Sequence, residues 1–406
     1  MRTPPFIEKL TLSPTISCFA GMMILWISFG VRQSFGLYLI PITQDYGWSR
    51  STFSIAAALL QLFWGCSQPF LVYLSERYIG FGKTIFFSSI IYGIGCIVMQ
   101  LCSPSQSGLF IFAMGIIVGG AAGGNSFPNI LASIGILSVA VSPFAFFLQT
   151  VEPVSQEPAP KSVRQSEEQH DPDGFKEAVI SNEPQTIGAA LKEGFSSLTF
   201  WLIILGYSVC GFHVSFIATH LPAYLVGQGI DSSVSAWTVS VLGFGSMIGT
   251  VLVGYLCTSY RPKYILAGIY SLRAIILAIF IFVPLSLASV FSFSAIFGFL
   301  WLSTVPATTK FVGDVYGHRY LGTMSSITFV GHQIGAFCGA YIGGLEYDVR
   351  KSYTRMWYAT LAMAIVAAIA NYVANDTSLR GHHPQQLPSK AEDEEITQEK
   401  PSTLCP

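Results

Sequence analysis

Apolar residues form long runs along the chain, and short polar turns separate them. A helix needs about 20 apolar residues to cross the hydrocarbon core of a bilayer, and a helix satisfies its own backbone hydrogen bonds there. The pattern therefore predicts an all-α polytopic membrane protein. We read apolar spans over residues 16–40, 52–74, 84–103, 108–149, 197–225, 233–257, 264–283, 288–309, 322–345 and 356–374.

Composition supports the membrane interpretation and excludes several classes of protein. Of 406 residues, 51% are hydrophobic and only 11% are charged, which is not a soluble composition. The sequence has no basic patch for nucleic acid and no catalytic motif, so we predict neither an enzyme nor a cofactor. Its eight cysteines lack paired spacing, and no metal site is expected.

Two polar segments divide the chain into four parts. The first is rich in Pro, Gln, Ser and acidic residues, and such a segment buries too little apolar surface to fold alone. We predict disorder for both segments and, from their presence, a plasma-membrane location. The predicted parts are an N-terminal transmembrane bundle at 1–149, a cytoplasmic linker at 150–195, a six-helix transmembrane bundle at 196–375 and an acidic tail at 376–406.

An internal repeat relates the two halves. The stretch "GVRQSF" at 30–35 matches "GFHVSF" at 211–216, and Pro41 and Ser51 have counterparts at the same offset in Pro222 and Ser232. Repeated halves around a central site are typical of secondary transporters. The sequence therefore predicts two bundles related by pseudo-symmetry.

The N-terminal half is predicted to be one helix short. After "GGAAGGNSFPNILASIG" the chain passes directly into "ILSVAVSPFAFFLQ", so the 322–345 span has no counterpart. The apolar stretch 108–149 is also too long for one straight span. A truncated relative of a working transporter and an error in the gene sequence both remain open.

Basic residues predict the orientation of the chain in the membrane. Lys and Arg concentrate in cytoplasmic loops. They mark the turns at 77–83, 261–263 and 310–319, which we therefore place in the cytoplasm. The turn at 346–355 also carries Arg and Lys, beside Glu and Asp, and is the exception.

Ionisable residues are rare inside the predicted spans, and none is acidic. A charge at the bilayer centre is costly, and a guanidinium binds a carboxylate through two parallel hydrogen bonds. We expect Arg32 and Arg273 to create a positive field in a central cavity, although Arg32 is near enough to a membrane surface to snorkel. The residues are Arg32, Arg273, His213, His220 and His332.

Histidine and amide side chains complete the candidate site. His213 occupies the repeat position of Arg32, so the two are expected to face each other, and His213 and His332 are candidates for a coupled proton. A hydrogen-bonded packing role is the alternative for each, and the expected role for His220. The remaining cavity-lining candidates are Gln333, Asn125, Trp64, Gln61 and Trp301, and the glycine-rich stretches at 115–124 and 335–344 predict close helix packing.

The sequence resembles the major facilitator superfamily, on the monocarboxylate-porter and oxalate/formate-antiporter side. The resemblance implies twelve helices in two bundles, alternating access, no prosthetic group, and contact of Arg32 and Arg273 with an organic anion. It covers nearly all of 14–374 and rests on "GVRQSFGLYLIPITQDYGWSRSTFS", "CGFHVSFIATHLPAYL", "YILAGIYSLRA", "FGFLWLSTVPAT" and "GHQIGAFCGAYIGGLEYD".

The superfamily's loop signature is altered here. In "VYLSERYIGFGKT", Glu76 stands for the usual aspartate and Arg77 is kept, while Val72 replaces a glycine. In the second half Gly254 is kept, but Thr258-Ser259 replaces the acid-arginine pair. The resemblance implies a gating role for Glu76, Arg77 and Gly254.

These observations predict a secondary transporter that moves a small organic anion, monocarboxylate-like, by alternating access. Proton symport and anion exchange both remain open, and the protein is expected to be a monomer. The alternative is a membrane sensor or degenerate relative that keeps the fold without transport.

Overall fold

A computed structural model describes residues 34–75, 78, 81–122 and 186–379, and the regular secondary structure of this part is helical. A short 3₁₀ turn at Ser34–Tyr38 comes first. The helices are α1 (Leu39–Tyr46), α2 (Arg50–Leu74), α3 (Phe81–Gln100), α4 (Ser107–Ala122), α5 (Ile187–Phe195), α6 (Leu198–Gly227), α7 (Ser232–Ser259), α8 (Pro262–Phe282), α9 (Leu287–Trp301), α10 (Thr304–Tyr316), α11 (Leu321–Arg350) and α12 (Thr354–Val373).

Several predictions fall outside the described residues. They concern Arg32, Glu76, Arg77 and Asn125, and most of the linker and tail. The predicted absence of one helix from the N-terminal half also concerns residues beyond Ala122.

The helices confirm an integral, multi-pass membrane protein. Within the described part, six segments are long and apolar enough to cross a membrane: Arg50–Leu71, Leu198–Gly227, Ser232–Ser259, Pro262–Phe282, Leu287–Tyr316 and Thr354–Val373. Helix α11 has 30 residues and extends past the predicted span end at 345. It therefore carries Glu346 and Asp348 in its last turns.

The span predicted at 288–309 is broken into α9 and α10. Pro306 lies in the first turn of α10 and has no N–H to donate to the carbonyl of Leu302. Ser303, between the two helices, donates its hydroxyl to the carbonyl of Phe299. The apolar pattern placed one span over both pieces and did not reveal this break.

Helix α11 packs against both α6 and α2, and glycines permit its close approach. A Cβ at Gly211 of α6 would meet the carbonyl oxygen of His332, and one at Gly335 of α11 would meet the carbonyl of Ser208. On the other side of α11, a Cβ at Gly344 would meet the hydroxyl of Ser54 in α2. The glycine-rich stretch therefore lets α11 lie between the two halves.

Two buried apolar clusters correspond to the two bundles. One is built from α6 to α12, and the other from α1 to α4. The second also includes Ala223 of α6 and Ala340 of α11. These residues mark the seam at which the C-terminal helices touch the N-terminal ones.

An ion-pair cluster lies at the end of the bundle that carries the predicted cytoplasmic turns. Asp376, the first residue of the predicted tail, is 7% exposed and accepts hydrogen bonds from Arg261. Lys263 lies 3.3 Å from the same carboxylate. Asp376 thus supplies an acidic partner for the α7–α8 turn from a distant part of the chain.

Candidate substrate site at the junction of the halves

Polar and aromatic side chains of α2 and α11 meet at the seam between the halves. The Nε2 atom of Gln333 donates to Oε1 of Gln61 at 3.4 Å. The ring of Trp64 packs edge-on against Phe329, with centroids 5.1 Å apart. Residues three or four apart share one face of a helix, so Gln61 and Trp64 of α2 face the same stretch of α11.

His332 lies in an aromatic slot at this junction. Its ring stacks on Phe329, with a centroid distance of 5.4 Å and an interplanar angle of 8°, and it contacts Tyr207 of α6 at 4.7 Å. Its Nδ1 is 2.9 Å from the amide oxygen of Gln333. Because an amide oxygen only accepts, Nδ1 carries the hydrogen and Nε2 is the basic nitrogen of the neutral ring.

Arg273 is fully buried in the C-terminal bundle. Its Nη2 donates to the carbonyl oxygens of Leu300 and Trp301, both at 2.6 Å. These residues end α9, where carbonyls lose their helical partners. Its Nε and Nη1 are buried without a hydrogen-bond partner, and no ion pair within the described ranges includes it.

Aromatic rings surround the guanidinium. Its carbon lies 5.2 Å from the ring centroid of Tyr270 and 5.7 Å from that of Phe297, within range of cation–π attraction. The hydroxyl of Tyr270 donates to the carbonyl of Gly206 at 2.6 Å. The charge is therefore held by rings and helix-end carbonyls in the absence of a paired carboxylate.

Cys210 and Tyr207 connect the arginine with the junction. They lie one turn apart on α6, since Cys210 follows Tyr207 by three positions. The Cys210 sulfur is 3.8 Å from the carbonyl oxygen of Trp301, which also accepts from Arg273, whereas Tyr207 contacts His332. Arg273 thus lies one helix layer behind His332.

His213 points into the C-terminal bundle, and Arg32, which it was expected to face, lies outside the described residues. Its Nε2 is 2.9 Å from the carbonyl of Thr360 in α12, and its ring is 6.4 Å from Phe297. Gly211 packs against α11, and two further residues turn a helix by about 200°. His213 therefore lies on the opposite face of α6.

The remaining predicted residues lie elsewhere. His220 is hydrogen-bonded near the end opposite the turns that were predicted to be cytoplasmic. Gly254 in α7 lies beside Pro306 of α10, where an added Cβ would be 4.0 Å from the proline Cβ. Of the predicted site residues, the structure brings together Gln61, Trp64, His332 and Gln333.

Three contributors to the site had not been singled out from the sequence. Phe329 precedes His332 by three residues, so its position on the same face of α11 could have been predicted from the sequence. Tyr207 and Cys210 carried no comparable signal, because their importance depends on which neighbours α6 meets.

Comparison with known proteins identifies the family of the chain. The family model for the Major Facilitator Superfamily matches residues 19–137 and 130–340. An uncharacterized MFS-type transporter of Bacillus subtilis (strain 168), YcxA, is 22% identical over 211 residues, covering 48% of this chain and 51% of its own. A benzoate transport protein of Acinetobacter baylyi is 23% identical over 214 residues, covering 51% and 43%. The chain spans about half the length of the curated relatives it matches.

Solved transporter structures share the fold. A bacterial homologue of the human lysosomal transporter Spinster, in an inward-facing and unoccupied conformation, superposes with a TM-score of 0.61 at 14% identity, covering 92% of this chain and 98% of that one. The nucleoside transporter NupG gives 0.56 at 13% identity, covering 87% and 98%. Together with the family match, which spans most of the chain, these results show that the protein belongs to the Major Facilitator Superfamily of membrane transporters.

Proposed function

We propose that the protein is a secondary transporter of a small organic anion, and that the α2–α11 junction binds the substrate. The observation that carries the proposal is the buried guanidinium of Arg273, which has two unpartnered nitrogens and no ion-pair partner among the described residues. A buried charge without compensation is costly. An anion at the junction compensates for part of that charge.

The charge of Arg273 acts on the junction across one helix layer. The carbonyls of Leu300 and Trp301 fix only its Nη2. Charge interactions are screened little in a low-dielectric interior. A carboxylate beside His332 and Gln333 therefore experiences a positive field.

The junction offers both polar and apolar contacts for a carboxylic acid. The amide nitrogen of Gln333 makes only a long hydrogen bond of 3.4 Å to Gln61, which a carboxylate oxygen can replace. The rings of Trp64, Phe329 and Tyr207 offer apolar surface for the body of the molecule. The similarity to a benzoate transport protein supports the same class of substrate.

His332 is the residue that we assign to proton coupling. Its Nε2 is the basic nitrogen, and its Nδ1 is engaged with Gln333. A proton on Nε2 makes the ring cationic and strengthens the binding of an anion. Proton symport and anion exchange differ in whether a pH gradient alone drives uptake.

Uptake in proteoliposomes tests the proposal. We expect radiolabelled benzoate or another small monocarboxylate to accumulate under an inward proton gradient, and an unlabelled neutral amide such as benzamide not to compete. Arg273→Lys retains the charge and Arg273→Ala removes it. Exposed Arg319 provides the matched control, since Arg319→Ala changes the same residue type outside the bundle interior.

The expected results separate transport from its alternatives. Uptake falls at least about tenfold in Arg273→Ala, because the bound anion loses the field of one buried positive charge. It is partly retained in Arg273→Lys and unchanged in Arg319→Ala. Equal flux in wild type and a folded Arg273→Ala protein contradicts the role of the arginine. Carboxylate binding without any flux indicates the non-transporting sensor.

A further inference from the structure

A hydrogen-bonded cluster joins the two halves at the end of the bundle opposite the cytoplasmic turns, which we call the outer end. The carboxylate of Asp348, on the last turn of α11, accepts the backbone N–H of Arg50 at 3.1 Å and that of Ser51 at 2.8 Å. Both N–H groups belong to the first turn of α2, where they have no partner within the helix. A carboxylate at this position also interacts favourably with the helix dipole.

The side chain of Arg50 makes a second set of contacts across the same seam. Its Nη1 donates to the hydroxyl of Tyr353 at 2.9 Å, and its guanidinium carbon lies 3.5 Å from the ring centroid of Tyr347. Arg50 therefore joins α2 both to the last turns of α11 and to the start of α12.

Tyr353 and His220 hold this arginine in place. Burial raises the pKa of Tyr353 to about 12, so its hydroxyl is protonated at neutral pH. That hydroxyl accepts a hydrogen bond from Arg50 and donates one to Nδ1 of His220 at 3.2 Å. Nε2 of His220 then donates to the carbonyl of Ala340 at 2.8 Å. The hydrogen bonds therefore run in one direction, from Arg50 through Tyr353 to His220 and from His220 to Ala340.

We propose that Asp348 is the latch of the outer gate, which holds the first turn of α2 against the end of α11 and must be released before the transporter opens outward. The contacts of Asp348 with α2 cross between halves that are almost 300 residues apart in sequence. The inference rests on membership of the transporter family and is independent of the substrate.

Three features separate a latch from ordinary packing. At the centre of the seam the polar contact between Gln61 and Gln333 is 3.4 Å long, so the short charge-assisted contacts are concentrated at the outer end. Packing there is also tight, because Gly344 lies directly against Ser54. A cavity of about 410 Å³ adjoins the cluster and is lined by Trp48, Arg50, Asp348 and Lys351 among others, so water and solutes have access to the latch.

The neighbouring acidic residue provides a matched control. Glu346 lies two positions before Asp348, and its carboxylate is 3.1 Å from Arg350 and 4.0 Å from Arg355. Both partners belong to the same half as Glu346. Removing the Glu346 carboxylate therefore alters the charge of the outer end without breaking an ion pair between the halves.

The test measures the outer opening directly. Spin labels are placed at Gln44→Cys in α1 and at Ser352→Cys in the α11–α12 turn, in the full chain with its other reactive cysteines removed. Double electron–electron resonance then gives the distance distribution across the outer end. No substrate is needed, so failure of this test is distinct from failure of the anion proposal.

We expect Asp348→Ala to increase the ratio of open to closed outer ends at least about tenfold, because the two hydrogen bonds that its carboxylate accepts from α2 are lost. Asp348→Asn retains one acceptor oxygen and gives a smaller shift in the same direction, whereas Glu346→Gln leaves the distribution unchanged. A wild-type distribution in Asp348→Ala overturns the proposal. If Asp348→Ala does not fold, the test uses Asp348→Asn, and a wild-type distance distribution in Asp348→Asn overturns the proposal equally.

Discussion

Arg273 closes the end of helix α9 at Trp301: its Nη2 lies 2.6 Å from the carbonyl oxygen of that residue, and equally close to that of Leu300. The arginine binds two carbonyls that the break between α9 and α10 leaves without helical partners. Its other nitrogens stay unpartnered. One residue therefore stabilises a broken helix and contributes a positive charge that has no carboxylate partner within the described part of the chain.

The structural role of Arg273 predicts a loss of stability when the side chain is truncated. Arg273→Ala removes two hydrogen bonds and leaves a cavity lined by Tyr270 and Phe297. We expect the free energy of unfolding to fall by at least about 2 kcal/mol, measured by thermal unfolding in detergent. Arg319→Ala, at an exposed site, should leave the unfolding midpoint unchanged. Similar midpoints in both variants would contradict the stabilising role of the Arg273 side chain at the end of α9.

The amide bridge at the junction predicts a defect in transport. Gln333→Ala removes the donor to Gln61 and the acceptor for His332. We expect initial uptake of the labelled carboxylate to drop about tenfold, because the substrate loses a hydrogen-bond donor and the histidine ring its orientation. Gln228→Ala, exposed at the end of α6, is the control and should transport normally. Undiminished uptake in Gln333→Ala would show that the substrate binds elsewhere.

The contact between α6 and α11 predicts strong sensitivity at one glycine. Gly211→Ala places a methyl group against the carbonyl oxygen of His332, which only a shift of the backbone can relieve. We expect poor folding or a clearly lower unfolding midpoint. Gly268→Ala in α8 meets no atom within 4 Å and should be neutral or slightly stabilising, because alanine favours a helix. Equal stability of the two variants would argue against this helix contact.

Asp376 predicts a pH-dependent contribution to stability at the end of the bundle that carries the α7–α8 turn. Burial alone raises the pKa of this carboxyl, but hydrogen bonds from Arg261 and Lys263 outweigh it, and the pKa lies below its ordinary value. Its stabilising contribution is therefore present above about pH 4 and is lost as the pH falls through the lowered pKa.

The measurement compares Asp376→Asn with the wild type across pH. At pH 7 we expect the variant to be less stable by about 1 kcal/mol, and the difference should shrink toward pH 3. Asp314→Asn alters an exposed pair within one helix, with Lys310 at 2.7 Å, and serves as the control. A difference that persists unchanged at low pH would contradict the charge-based explanation.

The sequence was informative wherever the physical signal is local. Long apolar runs can span a bilayer only as helices, so the fold class could be predicted without neighbours. The proline at 306 was visible as well, although the break in the span became clear only once the partners of the freed carbonyls were known. Glycine spacing likewise indicated close packing without identifying the partner helix.

The rotation of each helix about its axis was decided by the tertiary structure. The repeat position of His213 predicted only that it faces Arg32; the contact of Gly211 with α11 turns His213 toward Thr360. The partners of Asp348 lie almost 300 residues away, and no local pattern indicates such a pair.

The amino-acid sequence by itself determined that this chain crosses a membrane in helices and keeps acidic residues out of the predicted spans, because the cost of polar and charged groups in lipid acts on every residue separately. Tertiary structure alone decided which of the few polar side chains meet at the junction and which ones close the outer end, because those contacts depend on how helices from both halves pack around α11.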